Sequence, residues 1–449
     1  MSDTPAAVVV RRGAYHDSVA LMRVSRALSG LPGVEAAMVA MGTELNVTIL
    51  RELGFTVPEA GPGDLLVAVR AHDPGAAVEE AERQLATAHR PQAAAREQPP
   101  RTTRSAAAAA DAGLVLVSTP GEYAFLEAYD AVEAGLPVMI FSDGVPVERE
   151  RQLKELAEAR DVLVMGPDCG TAVIAGAGLG FANVLTPGPA GVVAASGTGA
   201  QQVTCLLDRA GVGVSHVLGV GGRDLSAEVG GLSTMRALRM LDDDPATELI
   251  VLVSKPPAPE VARAVRELPL RTPVVPAMLR EGGPDLTEAA EQALRLLGRP
   301  VPEWPSWPAW HRARPAAERI RGVYSGGTLA TEAALITGSR DIVDYGDDAY
   351  TRGRAHPMID PTLRVEALAA AAETDVVLMD VVLGHGADPD PAASLAHAVA
   401  RTPATVVVAL IGTDGDPQDL HRQAAAFREA GAAVFTSNAQ AARHARSLL

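Results

Sequence analysis

The sequence predicts an α/β protein made of several sheet units, and three observations carry this. Short apolar runs rich in Val, Ile and Leu alternate with helical stretches along most of the 449 residues. Those runs end repeatedly in Gly, Ser, Pro or Asp, as do strands whose carboxyl ends feed working loops. Aromatics are only 3% of the chain against 47% hydrophobic residues, so the cores must be packed from small aliphatic side chains, as in sheets covered by helices.

The elements follow in order. Val8–Val10 reads as a strand and Tyr15–Leu28 as a helix, with apolar spacing at Val19, Met22 and Leu28 and capping residues Asp17 and Ser18. Val34–Met41 is a strand, Asn46–Leu53 a helix and Asp64–Arg70 a strand. This order makes residues 1–90 a small module of split βαβ, ferredoxin or ACT type. Residues 91–104 lack periodicity and read as a linker.

Residues 105–187 restart the alternation as a Rossmann-like unit, with strands at Leu114–Ser118, Val138–Phe141 and Val162–Met165. Residues 188–298 form a five-stranded flavodoxin-like pattern, its strands including Gly191–Ala195, His216–Val220, Leu249–Val253 and Val274–Ala277. Residues 299–316 carry five prolines and all three tryptophans, and read as a linker packed onto the surface by those rings. Residues 317–449 give a second flavodoxin-like unit, with strands at Gly322–Ser325, Asp375–Val382, Ala404–Gly412 and Ala433–Thr436, and a strand and acidic turn at Asp341–Asp348.

Both flavodoxin-like units open with the same device: VVAASGTGAQ at 192–201 and VYSGGTLATE at 323–332. An apolar strand meets a Ser-Gly loop and then a helix, which leaves free amides and the positive end of the helix dipole facing whatever the loop holds. Ser196, Gly197, Thr198 and Gly199, and likewise Ser325, Gly326, Gly327 and Thr328, are therefore candidate ligands for phosphate or carboxylate. The alternative for each is a structural tight turn. Gly221, Gly222, Arg223 and Asp224 close another strand, where Arg223 can grip an anion bidentately or pair with Asp224 or Glu228. Lys255 follows a strand and precedes two stiffening prolines. His356 and His385 lie on loops of the last unit and are candidate acid–base groups, while His216 is structural. Cys205 belongs to a helix core and Cys169 closes a strand.

The formal charge of −16 disfavours nucleic acid and anionic membranes as partners. Two cysteines imply no disulfide framework, no run reaches the ~20 apolar residues of a membrane helix, and no signal peptide is evident, so a cytoplasmic setting is expected.

The segments GEYAFLEA, SDGVP, VMGPDCGTAVI, LGFANV, SHVLGVGGRDLS, ATELIVLVSKPPAPEVA, YSGGTL and AHPMIDP, together with the SGTG loop, resemble the FdrA family from about Gly121 to Pro361, and the C-terminal domain follows the same pattern. That family is similar to nucleotide-forming acyl-CoA ligases typified by succinyl-CoA synthetase. The resemblance implies a CoA-binding-type domain at 105–187, an alpha-type ligase domain at 188–298 and a beta-type C-terminal ligase domain at 317–449. It implies Pro167, Asp168 and Cys169 as contacts if CoA or a nucleotide binds, and favours a role for Lys255, which joins His356 and His385 as a catalytic candidate.

Three departures shape the expected activity. The stretch VVPAMLREGGPD lacks the histidine through which a synthetase passes phosphate, no ATP-grasp domain or Walker loop is present, and residues 1–60 offer no Gly-rich phosphate loop. The resemblance then implies carbamoyl or acyl-phosphate transfer of oxamate carbamoyltransferase type, in purine (allantoin) degradation. Its substrates would be carbamoyl phosphate, oxamate or oxalurate, or another acyl phosphate. Partner subunits, a homo-oligomer or both are expected. The residues demand no cofactor; CoA and a divalent cation such as Mg stay open, the cation through the carboxylates of DYGDDAY, LGHGADPD and GTDGDP, and no dedicated metal site is expected. Two rival functions stay open as well: a nucleotide-forming acyl-CoA ligase working with partner subunits, and a metabolite-sensing scaffold without catalysis.

Overall fold

A computed structural model describes residues 4–14, 16–88, 100–308 and 317–449. Tyr15, most of the 91–104 linker and Trp310 lie outside the described residues. The first unit comprises β1 (Ala6–Arg11), α1 (Ser18–Ser29), β2 (Val34–Met41), α2 (Glu44–Glu52), β3 (Leu65–Ala71) and α3 (Pro74–Ala88). Its sheet order is β1-β3-β2, both pairings antiparallel, so β3 is inserted between the strands of a βαβ unit. Alternation along the strands sends Val39, Val67 and Val69 towards α1 and α3, and Met38, Leu66 and Ala68 towards α2. Asp17 starts α1 by accepting from the Ala20 N–H.

The second unit comprises α4 (Thr103–Ala109), β4 (Val115–Val117), α5 (Gly121–Glu133), β5 (Val138–Ile140), α6 (Val147–Ala159) and β6 (Val164–Met165), with the short strands in a parallel sheet β4-β5-β6. The hairpin β7 (Thr171–Ile174) and β8 (Ala177–Gly180) follows, and β7 pairs antiparallel with a strand of the next sheet.

That third unit holds β9 (Pro187–Ala194), α7 (Gly197–Arg209), β10 (Val214–Gly219), α8 (Leu232–Asp243), β11 (Leu249–Ser254), α9 (Pro259–Arg266), β12 (Val274–Met278) and α10 (Leu286–Leu296). Its sheet runs β12-β11-β9-β10-β7-β8. The expectation of five flavodoxin-type strands is corrected here. Four are parallel, and the flank of β10 is closed by the hairpin instead. After β12 the chain makes α10, whose Asp285–Glu288 capping box starts a helix where a fifth strand would need an extended apolar run.

The fourth unit adds β13 (Ser306–Trp307), β14 (Arg319–Tyr324), α11 (Gly327–Thr337), β15 (Ile342–Asp344), α12 (Asp348–Thr351), α13 (Thr362–Ala369), β16 (Asp375–Val382), α14 (Pro391–Arg401), β17 (Thr405–Ile411), α15 (Leu420–Glu429), β18 (Ala433–Phe435) and α16 (Asn438–Ser447). The order β15-β14-β16-β17-β18 is the flavodoxin-like order, with β13 antiparallel on the far edge. Trp304 is buried with its indole N–H on Glu291, and Trp307 packs edge-on to His421, so both described rings pin the segment that carries them.

Units three and four share one apolar core. Val203 and Leu206 of α7, Ala290 and Ala293 of α10, Leu329 and Ala333 of α11 and Ala441 and Ala445 of α16 belong to it. Alanine at these positions lets the helices approach closely. A buried polar seam crosses the same junction: Gln202 accepts from the Asn438 N–H at 2.8 Å, and Asn438 donates to Glu332 at 2.7 Å.

Units two and three are joined differently. Lys154 on α6 is fully buried and donates to Glu150 at 2.8 Å, to Asp224 at 2.8 Å and to the Val220 carbonyl at 2.9 Å. Asp224 also takes the Thr234 N–H and hydroxyl. Removing the ammonium strands two buried carboxylates. Lys154→Ala is expected to destabilise the protein by about 3–5 kcal/mol, read as a lower denaturant midpoint; an unchanged midpoint would show that water replaces the ammonium.

Candidate functional site

The carboxyl edges of the units converge on one cleft of ≈ 1320 Å³. Both Ser-Gly loops line it. Ser196 caps α7 by accepting from the Gly199 N–H at 3.0 Å, leaving the amides of Gly197 and Thr198 without intrahelical acceptors. Gly326 caps α11 without any side-chain hydrogen bond, so the first-turn amides of that helix are open as well. The loops touch. A Cβ at Gly326 would lie 2.7 Å from Thr198 Cβ, and one at Gly199 would lie 3.0 Å from Thr328 Cγ2. Only glycine allows two helix N-termini to meet at this distance.

The loops are not equivalent. Ser325 is buried and donates both its N–H and its hydroxyl to Asp380 on β16, at 2.8 and 2.9 Å. Burial holds the Asp380 carboxyl above its ordinary range, opposed by the buried Arg364 guanidinium 3.2 Å away. Ser325 is thereby committed to an internal anion. Gly326 and Gly327 remain on the cleft, and Thr328 borders it with its side chain buried.

Lys255 extends into the cleft from the end of β11. A Cβ at Gly327 would lie 3.0 Å from its Nζ and 2.6 Å from Asp344 Oδ2, so ammonium and carboxylate flank the start of α11. Burial, with a smaller push from Asp380, raises Asp344 to about 6. Among the described residues no hydrogen bond or ion pair engages the Lys255 ammonium. Of the 39 basic residues, only Lys154 and Lys255 are lysines, and the first is sealed in the core. That scarcity is a signal that reading residue by residue passes over.

Arg223 and Gly222 line the cleft, but Arg223 is engaged by Glu150 at 2.9 Å and by the Val145 carbonyl at 2.7 Å. Its expected alternatives, Asp224 and Glu228, are not its partners: Asp224 points inward to Lys154. Pro167 and Asp168 are on the cleft wall. Cys169 is 3% exposed and packs under Gly219, and burial pushes its thiol up to about 12, which suits a core side chain. His356 borders the cleft against the Phe181 ring. Burial, with Arg364 nearby, lowers it to about 4, so it is a neutral imidazole at physiological pH. Its Nδ1 accepts from the Met358 N–H at 3.2 Å, which puts the proton on Nε2. His385 is not brought to the cleft; its backbone pairs with Ala182 and its side chain is exposed. His216 is structural as expected, accepting from the Ala175 N–H.

Sequence reading missed Asp143 and the first unit's share in the cleft, through Thr43 and Asn46 at the start of α2 and Arg26, which is tied to Asp388 at 2.6 Å. The SDGVP segment was the available signal for Asp143. No pattern in residues 1–90 announces a wall for a site formed more than a hundred residues later. Among the described residues no group of His, Cys, Asp and Glu has the makings of a metal site, and no helix is long and apolar enough to cross a membrane.

Residues 2–103 match the family model "AllF, heavy metal-associated domain", and residues 323–448 match "CoA-ligase". The first stretch contains no cysteine, so it lacks the thiolates its description evokes. The protein YahF of Escherichia coli K12 is 35% identical across 98% of both chains. This chain belongs to the YahF family. The alpha 2 subunit of an ADP-forming succinate–CoA ligase from Archaeoglobus fulgidus is 28% identical over 34% of the chain, which spans about half (54%) of that relative. An ATP citrate lyase from Methanothrix soehngenii, solved with citrate and coenzyme A, aligns over 44% of this chain and 37% of its own at 20% identity and a TM-score of 0.33. The last unit of this YahF-family chain matches the CoA-ligase model, and about a third of the chain is similar to succinate–CoA ligase alpha subunits.

Two outcomes follow from the geometry. Gly326→Ala is expected to force the loops apart at a cost of about 1–3 kcal/mol, seen as weaker inorganic phosphate binding by calorimetry; unchanged affinity would mean the loops do not share an anion. Pyridoxal phosphate, an anionic amine reagent, is expected after borohydride reduction to mark Lys255 as the sole labelled lysine, with inorganic phosphate slowing the reaction; labelling indifferent to phosphate would place the anion elsewhere.

Proposed function

We propose that this YahF-family chain transfers a small acyl group, the carbamoyl group, between phosphate and an acceptor such as oxamate, and that the phosphate never rests on a histidine. The observation that carries the reading is the convergence on a single cleft of two helix N-termini and Lys255, which has no hydrogen bond or ion pair among the described residues. The stretch after β12, reading LREGGPD, offers no histidine to accept a phosphoryl group.

In this reading the phosphoryl oxygens of carbamoyl phosphate rest on the open amides of α7 and α11, where fixed dipoles meet the anion without reorganising. Lys255 supplies the neutralising charge as the carbonyl–oxygen bond breaks and phosphate departs. Lys255 is thus a phosphate ligand, and Gly222 and Arg223 form the neighbouring wall, with Arg223 held by Glu150. His356, neutral and protonated on Nε2, serves as a hydrogen-bond donor to substrate. His385 takes no part. The acceptor carboxylate of oxamate is the group left for the remaining cleft. Partner subunits fit this picture, since the matched succinate–CoA ligase chain is itself named as a subunit.

A second reading, acyl-CoA ligation with partner subunits, draws on the reach of the cleft. It extends past the twin loops to Thr119 and Gly121, where α5 begins without a side-chain cap and Thr119 Oγ1 is buried with no partner among the described residues. Such an opening fits a polar group of CoA. When bound, CoA would supply a thiol acceptor for the same acyl group.

The full chain, alone and with any subunits that co-purify, is expected to form oxalurate and phosphate from carbamoyl phosphate and oxamate. Lys255→Ala should raise KM for carbamoyl phosphate by about 10-fold or more, the loss of one charged contact. Phosphate from labelled ATP appearing on the protein would overturn this reading in favour of the ligase.

A further inference from the structure

The loop between β6 and β7 is held unusually firmly. The Asp168 N–H donates to the Ser142 carbonyl at 2.9 Å, and the Cys169 N–H donates to the Ile140 carbonyl at 3.0 Å. Gly221 presses against the same loop from the other side, since a Cβ there would lie 2.5 Å from the Pro167 carbonyl oxygen. Within this clamp Asp168 adopts φ +56, a left-handed conformation that a residue with a side chain enters only at a cost. The result is that its carboxylate opens onto the cleft. Among the described residues it has neither a hydrogen-bond donor nor an ion-pair partner. The charged groups that face it come from four separate elements: Asp143 after β5, Arg223 after β10, Lys255 after β11 and Asp348 on α12.

A carboxylate aimed at a binding cleft by a strained backbone, and left without a donor, is free to take a proton. We propose that Asp168 is the general base of the acyl transfer, accepting the proton of the attacking acceptor N–H across the cleft from the phosphate-holding Lys255. This inference rests on the acyl-phosphate reading of the cleft. The acceptor nitrogen attacks the carbonyl carbon; the C–N bond forms and the bond from carbon to the bridging oxygen breaks, its electron pair leaving with phosphate. The acceptor proton passes to an Asp168 oxygen and from there to the departing phosphate, which leaves as HPO4²⁻. The products are the N-acylated acceptor and inorganic phosphate, with no other reactant required.

Its surroundings suit the task. Burial raises Asp168 to about 6, Asp143 and Asp348 push the same way, and Arg223 and Lys255 oppose them. A base of that strength is mostly ionised at neutral pH yet still able to hold a proton in transit. Catalysis should therefore rise with pH through about 6, as Asp168 loses its proton, and level off above.

The test uses the full chain with carbamoyl phosphate and oxamate, followed as product formed between pH 5 and 8.5. Asp168→Asn is expected to lower kcat by roughly 100-fold or more and to abolish the acid limb, while inorganic phosphate affinity by calorimetry stays within about threefold. Asp143→Asn removes a charge that raises Asp168, so its acid limb should move to lower pH. Transfer that persists in Asp168→Asn with the limb intact would overturn this inference alone. A wild-type chain that binds carbamoyl phosphate but forms no product would overturn the transferase reading and the base together.

Discussion

The close approach of two helix N-termini is the constraint on which the rest of this molecule depends. The positive ends of α7 and α11 repel one another, and their first-turn amides have no partners within the helices. Such a junction persists only if the structure around it holds the helices in place. Here that hold comes from the common apolar core beneath, from the Gln202–Asn438–Glu332 seam and from Asp380, which supplies a negative charge under the second loop. The two large units are therefore better regarded as halves of one binding device than as independent domains.

The asymmetry of that device has a chemical consequence. The first-turn amides of Gly197 and Thr198 in the α7 loop stay open, while part of the α11 loop is already answered by Asp380. Charge balance at the mouth is set by a small number of groups. Lys255 faces Asp344 and Asp168, two carboxyls that lie above their ordinary range because loss of hydration disfavours their charge. In a chain carrying net charge −16, Lys255 sets a positive charge beside two helix N-termini, with no hydrogen bond or ion pair among the described residues to neutralise it.

Much of the architecture was legible because it is written in local periodicity. The strands that read as continuous apolar runs, such as Asp375–Val382 and Leu249–Ser254, are central and buried on both faces. The split βαβ order of the first unit emerged from its alternation of strand and helix. The missing fifth strand of the third unit was a failure of analogy: the sequence there begins a capped helix, and counting strands by pattern overrode that local signal. The Ser-Gly loops were legible as loops that open helices because glycine, a small polar residue and a helix start are contiguous there.

What the sequence determined by itself is most of the strands and helices, the two loops and the absence of a histidine after β12, since each depends on neighbours within a few residues. Tertiary structure alone decided which side chains share the cleft. It buried Cys169, left His385 outside, gave Arg223 to Glu150 and aimed Asp168 inward. It also brought the first unit to the wall of a site assembled from residues far downstream. The physical reason is that burial and charge pairing depend on distances across the fold, and residues 73 apart in sequence, such as Glu150 and Arg223, meet only when the sheets that carry them have packed.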